Sequence, residues 1–452
     1  MWLYAITVFT GAFLLFQVQP LIGKFILPWF GGSPGVWTAC LLFFQTLLLG
    51  GYAYAHVLTS KFAPTRQAVI HLGLLVVALA FVPIAPAEAW KPGPAEDPTG
   101  RILLLLAATI GLPYFVLSAT GPLLQRWFSQ THAGVSPYRL YALSNVGSLL
   151  ALLSYPFLVE PWLTRHQQAW LWSAGLILFV GVCGSCAWRL RRLARAGRVA
   201  AATVETARAE RPTPAAQALW ITLPAVASIL LLAVTNKLCQ DVAVIPFLWI
   251  LPLALYLISF ILCFDHPRWY RRGLFATLVT LAIGVVCYLL FEGNGAPLEQ
   301  QVIGYLVLLF TACMLCHGEL YRLKPAPAYL TRYFLAIAAG GAAGGLFVGL
   351  AAPYLFSQYW ELHVGLWSLA YVMGLVALLF QVRAFVYGPL LGLALIGLAV
   401  PALSVEYPEG VVDWFRLYGR EIEIFVLLFW KEMLAFVLMA ALSLGHWRRG
   451  WT

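Results

Sequence analysis

Long apolar runs recur along the whole chain and constrain its fold more than any other feature. About 20 apolar residues in helical form cross the hydrocarbon core of a bilayer. Lipid cannot satisfy unpaired backbone groups, so spans of this kind must be helices. We predict fourteen spans, at 3–27, 35–57, 68–85, 102–120, 139–158, 168–188, 217–235, 244–264, 273–291, 301–318, 333–352, 362–381, 384–402 and 423–445. The expected fold class is therefore all-α, a polytopic transmembrane helix bundle.

The composition excludes a water-soluble domain. Of the 452 residues, 62% are hydrophobic and 10% are charged, with a mean hydropathy of +0.84. A soluble domain has about a quarter of its residues charged. The net charge of +10 is not gathered in a soluble basic domain, so nucleic-acid binding is excluded as a function. The lipid bilayer is the first partner that we expect.

The basic residues predict an orientation. If the N-terminus is cytoplasmic, loops on the inside receive 20 of the 28 Lys and Arg residues and loops on the outside receive five. The remaining three, Lys24, Lys237 and Lys431, fall within or at the ends of spans. An excess of Lys and Arg marks cytoplasmic loops. We therefore predict a multi-pass protein of the bacterial inner membrane with both termini in the cytoplasm.

The segment Cys313-Met-Leu-Cys316-His317 has the spacing of a c-type haem attachment site. In the predicted topology it lies at the cytoplasmic end of the tenth span, whereas haem is attached to c-type proteins on the outer face of bacterial membranes. We therefore interpret the cysteines as small helix-packing residues. No disulfide, metal or cofactor is expected.

The chain contains an internal duplication. Segments 138–157 and 330–349 are similar, and an offset of 193 residues matches Gly147 with Gly340. Other matched pairs are Arg139 with Arg332, Trp37 with Trp249, His56 with His266 and Lys24 with Lys237. Both copies begin on the same side of the membrane, the relationship between the halves of major-facilitator transporters. We predict a first membrane repeat at 1–188, a basic cytoplasmic linker at 189–216, a second repeat at 217–402, and an outer amphipathic segment with an additional helix at 403–452.

Four stretches carry a family resemblance: "QPLIGKFILPWFGGSPGVWTACLLFFQTLLLGGYAYAH", "SPYRLYALSNVGSLLALLSYPFLVEP", "IPFLWILPLALYLISFILCF" and "CHGELYRLKPAPAYLTRYFLAIAAGGAAGGLF". They resemble the membrane part of the fused major-facilitator/spermidine-synthase-like proteins of bacteria. That resemblance implies a soluble aminopropyltransferase-like domain, but after Pro401 this sequence continues into another apolar span. No strand followed by a Gly-rich turn and an acidic residue is present. We therefore expect no enzymatic activity.

A group of glycines in the eleventh span could be mistaken for a nucleotide-binding loop. Gly340, Gly341, Gly344, Gly345 and Gly349 have small-xxx-small spacing within an apolar run. This spacing is typical of helices that pack closely in membranes. We predict close helix packing here.

Polar groups inside a membrane are costly and often functional. Ten candidates for solute binding are Gln19, Lys24, Trp37, Asn145, Asn236, Lys237, Asp241, Trp249, His317 and Glu319. Gln45, Tyr52, Ser144 and Tyr256 are further polar or aromatic residues within spans. We expect Pro20 to break the first span and to free backbone groups for a ligand. An acidic and aromatic cavity would suit a polyamine or another organic cation.

Structural alternatives exist for two of these candidate groups. Lys237 and Asp241 are four residues apart and can neutralise each other on one helix face. Glu319 requires a counter-ion, for which Arg322 or Arg332 is the nearest in sequence. An interfacial salt-bridge cluster that fixes a loop would also explain His317 and Glu319.

The C-terminal segment is the candidate partner interface. Asp413, Trp414 and Arg416 belong to an amphipathic stretch, and Lys431 and Glu432 lie inside the last span. Two charges in lipid need partners, and another membrane subunit is a natural source of them.

Three functions remain open from the sequence. The first is a transporter-like scaffold that binds or moves a small solute, although the loop signature G-x-x-x-D-R-x-G-R-R is not found. The second is a non-catalytic accessory or assembly subunit of a larger membrane complex. The third, a redox subunit, would use His56, His266 or His317 as a haem or quinone ligand.

Overall fold

The computed structural model describes residues 1–31, 34–92, 98–132, 134–199, 210–241, 249–356 and 360–404. All regular structure in these ranges is helical. The first half contains α1 (Trp2–Phe30), α2 (Pro34–Lys61), α3 (Pro64–Ala78), α4 (Pro98–Leu106), α5 (Leu112–Thr131), α6 (Tyr138–Ser154) and α7 (Arg165–Arg195). The second half contains α8 (Pro214–Asp241), α9 (Ile250–Asp265), α10 (Arg272–Glu292), α11 (Leu298–Arg322), α12 (Leu330–Leu346), α13 (Ala352–Leu355), α14 (Glu361–Phe380) and α15 (Ala384–Ser404).

Short π-helical turns continue three of these helices. Ala107–Gly111 joins α4 to α5, so that the two form one span. Tyr155–Val159 follows α6 and Phe347–Ala351 follows α12. The last two turns therefore occupy almost equivalent places in the aligned segments of the two halves.

The predicted membrane spans agree with the helices. Within the described ranges, eleven helices are long and apolar enough to cross a membrane, and α9 and the first part of α15 are shorter apolar helices. Thirteen of the fourteen predicted spans coincide with these elements. The fourteenth, 423–445, lies outside the described residues. The all-α, polytopic fold class is confirmed.

The first span is continuous, so the prediction that Pro20 breaks it is wrong. α1 runs from Trp2 to Phe30 with Pro20 and Pro28 inside it. A proline removes one backbone donor from a helix. In a packed membrane bundle, neighbouring groups and local adjustments can compensate for that loss.

The helices pack in the same pattern twice. In the first half α1 contacts α5, α6 and α7, and in the second half α8 contacts α11, α12 and α14. Across the halves, α2 packs on α12 and α6 packs on α9. The second helix of each half thus meets the fifth span of the other half.

Two glycines explain why α6 and α12 can pack closely on the first helix of their own halves. A Cβ at Gly147 of α6 would lie 2.6 Å from the Phe9 carbonyl oxygen of α1, and a Cβ at Gly340 of α12 would lie 2.1 Å from the Ile221 oxygen of α8. Only glycine lets the backbones approach so closely. A Cβ at Gly344 would likewise meet the Ala225 oxygen at 2.4 Å. The prediction of close helix packing is confirmed at Gly340 and Gly344, whereas a Cβ at Gly341 would meet nothing within 4 Å.

Each half has its own apolar core. Trp127, Phe128 and Phe179 are fully buried in the first half, and Trp220 and Phe334 are fully buried in the second. The helix α15 is additional to the repeated pattern and packs on α10. Its Gly388 carbonyl accepts a hydrogen bond from the Thr277 hydroxyl at 3.1 Å.

Candidate functional site

A cavity of about 280 Å³ lies between the two halves. Residues of α1, α2, α5 and α6 line it from the first half, and residues of α8, α9 and α12 line it from the second. A volume of this size is at the lower end of the range for small-molecule sites. The cavity is therefore the candidate functional site.

The helix α6 contributes a polar stripe to this cavity. Tyr141, Ser144, Asn145 and Ser148 all line it, and their spacing of three or four residues places them on one helix face. The Asn145 amide donates to the Tyr141 carbonyl at 2.9 Å. Its amide is thus held in place by its own helix.

The matching face of α12 is apolar. The offset that aligns Gly147 with Gly340 also aligns Ser144, Asn145 and Ser148 with lining residues of the second half. Those residues are Ile337, Ala338 and Gly341. Equivalent helix positions therefore face the same cavity with opposite polarity.

The asymmetry extends over the whole lining. The polar lining residues of the first half are Thr7, Gln45, Tyr52, Ser118, Thr120, Tyr141, Ser144, Asn145 and Ser148, and those of the second half are Ser228 and Tyr256. The Gln45 Oε1 atom is buried and has no hydrogen-bond partner in the described part of the chain. An unpaired buried acceptor of this kind is ready to receive a donor from a ligand.

Among the described residues, none of those lining the cavity is charged. A cationic solute would lose its hydration there without gaining a counter-ion, which is costly. Hydroxyl and amide groups can instead exchange hydrogen bonds with a neutral polar solute. Phe16 and Phe260 supply apolar and aromatic surface beside them.

Asn145 is the sequence candidate that lines the cavity. Gln19 lies on α1 and donates to the Tyr114 hydroxyl at 3.4 Å. Lys24 forms an ion pair with Glu160 at 2.6 Å, toward the end of the bundle where α1 ends. Neither Gln19 nor Lys24 is part of the described lining.

Five other candidates lie near the start of α2, near the end of α8 or just before α9. Asn236 and Lys237 are half-buried on α8, and Trp249 is 40% exposed just before α9. The side chains of Trp37 and Asp241 lie outside the described residues. None of the three described side chains belongs to the described cavity lining.

His317 lies one layer behind the cavity. Its Nδ1 atom is 2.8 Å from the Ser259 hydroxyl, and its ring stacks on Phe260 at a centroid distance of 3.5 Å. The Tyr256 ring packs edge-to-face with the same imidazole, at a centroid distance of 4.9 Å. Cys313 and Cys316 are buried on the same helix, within the apolar core of the second half. His317 supports the aromatic wall of the cavity rather than its surface.

Glu319 is bound by a different arginine from the two that the sequence suggested. Arg272 donates to both of its oxygens, from Nε at 2.7 Å and from Nη2 at 2.6 Å. The prediction of Arg322 or Arg332 as the counter-ion is wrong. A fork of two parallel hydrogen bonds is the strong form of an arginine–carboxylate pair.

Tyr270 completes this buried cluster. Its hydroxyl donates to Glu319 at 2.8 Å, and its ring lies so close to Gly318 that a Cβ there would be 2.3 Å from it. Burial and the Glu319 carboxylate raise the pKa of Tyr270 well above its ordinary value. The hydroxyl therefore stays a donor. We call Tyr270, Arg272 and Glu319 the charged lock, because it fastens the loop between α9 and α10 to α11.

The first half uses neutral groups at the corresponding place. The Trp127 indole of α5 donates to the Gln67 Oε1 of α3 at 3.0 Å, and Gln67 donates to the Phe62 carbonyl at 2.7 Å. We call this pair, Gln67 and Trp127, the neutral lock. It fastens the loop between α2 and α3 to α5.

Polar contacts join the two halves at one end of the bundle. We call this end, which carries Arg126, Arg139, Arg322, Lys324 and Arg332, the basic end. Arg139 pairs with Asp265 at 3.0 Å, Arg126 donates to the Pro327 carbonyl at 2.9 Å, and the Tyr138 hydroxyl donates to the Pro325 carbonyl.

The pairing of α2 with α12 contributes to the same junction. The Thr331 hydroxyl lies 3.1 Å from the His56 Nδ1 atom and 3.2 Å from the Thr59 hydroxyl. The basic end is therefore closed by hydrogen bonds and an ion pair between the halves.

A signal in the sequence could have identified more of the lining. Gln45, Tyr52, Ser144 and Tyr256 were recognisable as polar or aromatic groups within spans, and all four line the cavity. Tyr141 and Ser148 were missed. They share a face with Ser144 and Asn145, so the spacing of polar residues on an otherwise apolar helix marks them.

Comparison with solved structures identifies the fold. The chain is similar to the major facilitator superfamily proton:xylose symporter XylE bound to 6-bromo-6-deoxy-D-glucose, with a TM-score of 0.52 and 11% identity over 82% of this chain and 94% of that chain. It is also similar to XylE from E. coli in a partially occluded inward open conformation, with a TM-score of 0.52 and 12% identity over 82% of this chain and 96% of that one.

A third similar structure is a mutant of the peptide transporter POT in complex with sulfate. Its TM-score is 0.53, with 16% identity over 84% of this chain and 94% of that chain. No protein-family model and no curated relative matches the sequence. At these identities the similarity shows the fold. The chain is a multi-pass membrane protein with a major-facilitator-like scaffold.

Proposed function

We propose that this chain is a solute transporter and that the cavity between its halves holds the solute. The observation that carries the proposal is the position of the cavity, which is lined by both halves of a repeated bundle. In transporters built from repeats, the solute site lies at the repeat interface, and rocking of the halves exposes it to alternate sides. The similar structures are those of a symporter and a peptide transporter, which agrees with this function.

The lining favours a small, neutral solute with one polar and one apolar side. Hydroxyls and amides of the first half would face its polar groups, and Ile337, Ala338 and Leu257 of the second half would face its carbon skeleton. The cationic, polyamine-like solute considered from the sequence needs a carboxylate. The described lining supplies none, so we do not propose it.

A binding screen tests the proposed solute class. The purified chain in detergent is heated with neutral sugars, polyols and neutral dipeptides, and in parallel with putrescine and spermidine. Ligands that bind only the folded state raise the melting temperature. Stabilisation by a neutral compound followed by its uptake into proteoliposomes would support the proposal. Stabilisation by the polyamines alone would contradict it.

A matched pair of variants locates the binding site. Asn145→Leu alters the cavity lining, whereas Asn236→Leu makes the same replacement outside the described lining. We expect Asn145→Leu to weaken binding of the identified solute about tenfold, which is the cost of one hydrogen bond to a ligand. Equal effects of the two variants would place the solute elsewhere.

We also propose that the basic end faces the cytoplasm of a bacterial cell. The distribution of Lys and Arg in the loops supports this orientation. A membrane-impermeant reagent applied to intact cells should fail to label a cysteine placed in the linker 189–216. Labelling of that cysteine from outside would show the opposite orientation.

We also propose that the chain belongs to the fused major-facilitator/spermidine-synthase-like family. This proposal rests on the sequence motifs.

The alternative of an accessory subunit depends on the C-terminal segment. Asp413, Trp414, Arg416, Lys431 and Glu432 all lie outside the described residues. No contact in the described part of the chain favours that role over transport.

A further inference from the structure

A second cavity, of about 320 Å³, lies at the basic end. It is bounded by the end of α9, the end of α11 and the segments that follow these helices. Its polar lining consists of Tyr270, Tyr321, Arg322 and Lys324. It is separate from the cavity between the halves, with which it shares no lining residue.

Two cations face this cavity, and no carboxylate among the described residues pairs with either of them. In the part of the chain that the structure describes, neither Arg322 nor Lys324 forms an ion pair. The nearby Glu319 is already bound by Arg272 on both of its oxygens. The cavity is thus a concave site with positive charge, which attracts anions.

Aromatic rings fix the position of one of these charges. The Lys324 ammonium lies 3.4 Å from the centroid of the Tyr321 ring and 5.5 Å from that of Tyr138. Cation–π contacts of this kind orient an ammonium but leave its net charge in place. Lys324 is therefore a positioned donor, while the exposed Arg322 offers a guanidinium fork, the shape that matches phosphate oxygens.

We propose that this cavity binds a phosphate-bearing anion, through Arg322 and Lys324. Two sources have the same chemistry: the headgroup of an anionic phospholipid and a free phosphate-bearing anion in solution. The cavity lies at the end of a membrane-spanning helix, at the depth where basic pockets between helices hold lipid headgroups.

Occupancy of the cavity would act on the junction between the halves. Lys324 adjoins Pro325, whose carbonyl accepts from Tyr138 of the first half, and Arg126 of the first half donates to Pro327. An anion bound to Lys324 also restrains the segment with Pro325 and Pro327, which makes these contacts. The bound anion therefore stabilises the state in which the basic end is closed.

The test uses the full chain in detergent and follows its melting temperature. Short-chain phosphatidylglycerol, short-chain phosphatidylcholine and inorganic phosphate are titrated separately. We expect a saturable increase with phosphatidylglycerol, with phosphate, or with both. A response to phosphatidylglycerol alone assigns the lipid source, and a response to phosphate identifies a free anion as sufficient. No response to either, or an equal response to phosphatidylcholine, would overturn the proposal.

Matched charge variants locate the effect. The double variant R322Q/K324Q removes two charges from the cavity, and K61Q/R268Q removes two charges from the same end outside it. A cation near a phospholipid headgroup contributes about a fivefold gain in affinity. The half-saturating concentration should therefore rise roughly 25-fold in R322Q/K324Q and less than about twofold in K61Q/R268Q. Equal increases in the two double variants would show general surface attraction and contradict a defined site.

A single variant covers the case in which R322Q/K324Q does not fold. Arg322 is exposed, so R322Q leaves the buried groups intact. We expect it to raise the half-saturating concentration about fivefold. An unchanged value would contradict the role assigned to Arg322.

Discussion

The first half contributes most of the hydroxyls and amides that line the cavity, whereas the second half lines it mainly with aliphatic and aromatic side chains. The contrast is sharpest between α6 and α12. Gly147 and Gly340 occupy equivalent places and perform the same packing task. Two residues earlier, on a different face of each helix, Asn145 and Ala338 present opposite chemistry to the cavity. In these aligned helices, the glycines that set the distance between helices are alike, and the residues that face the cavity differ.

A second contrast lies at the basic end. The charged lock of the second half joins Arg272 to Glu319, while the neutral lock of the first half joins Gln67 to Trp127. Both locks fasten the loop after the second helix of a half to its fourth span. A buried ion pair loses far more when one partner is removed than a neutral hydrogen bond does. The two loops should therefore differ in their sensitivity to mutation.

The largest expected effect is at Glu319. Replacing it with glutamine leaves the partly buried Arg272 without its counter-charge, which should lower the free energy of unfolding by about 3 kcal/mol. Denaturation of the purified chain by titrated detergent measures this change. The double variant E319Q/R272Q should recover part of the loss, because no uncompensated charge remains. Wild-type stability in E319Q alone would refute the charged lock.

The packing glycines come next. Alanine at Gly340 or Gly147 would press its Cβ against a backbone carbonyl, which cannot move aside cheaply. Overpacking of this kind should cost about 1–3 kcal/mol in the free energy of unfolding. Gly73→Ala is the control, since a Cβ there meets nothing within 4 Å. If Gly147→Ala and Gly340→Ala matched that control, the shared register of α6 and α12 would be incorrect.

An exchange of polarity at the cavity sharpens the first contrast. Asn145→Ala should weaken solute binding about tenfold, and the added Ala338→Asn should not restore it, because the amide would then face the apolar side of the solute. Isothermal titration of the solute identified by screening measures both variants. Full recovery in the double variant would show that the two faces are interchangeable.

The smallest effect is expected at Gln67. Replacing it with alanine removes two neutral hydrogen bonds, one from the Trp127 indole and one to the Phe62 carbonyl, at a cost of about 1–2 kcal/mol. Detergent denaturation under the conditions used for Glu319 gives a direct comparison. A loss as large as that of E319Q would remove the distinction between the two locks.

The sequence predicts local features of this fold well. Apolar length alone locates thirteen described spans, because crossing a bilayer imposes that length on each helix independently. The alignment of Gly147 with Gly340 predicts equivalent packing, since close helix approach demands a small residue wherever it occurs.

The sequence alone did not predict contacts between residues that are far apart along the chain. Arg272 precedes Glu319 by 47 residues, and spacing along one helix suggests only Arg322, which instead faces a separate cavity. The cavity itself depends on which faces of seven helices meet. Asn145 was recognisable as an isolated polar residue, but the apolar wall formed by Ile337 and Ala338 carries no signal of its own.

Distances between spin labels test alternating access by the two halves most directly. One label pair replaces the exposed Ser60 and Arg268 at the basic end, and a second replaces Glu160 and the exposed Leu298 at the opposite end. Cys239, which is half-buried, is changed to alanine so that only the introduced cysteines react; the other seven are buried.

In proteoliposomes, with and without the solute, we expect two distance populations for each pair. The longer distance at one end should accompany the shorter distance at the other, and solute should shift the balance. One fixed distance at both ends, unchanged by solute, would contradict transport by these two halves.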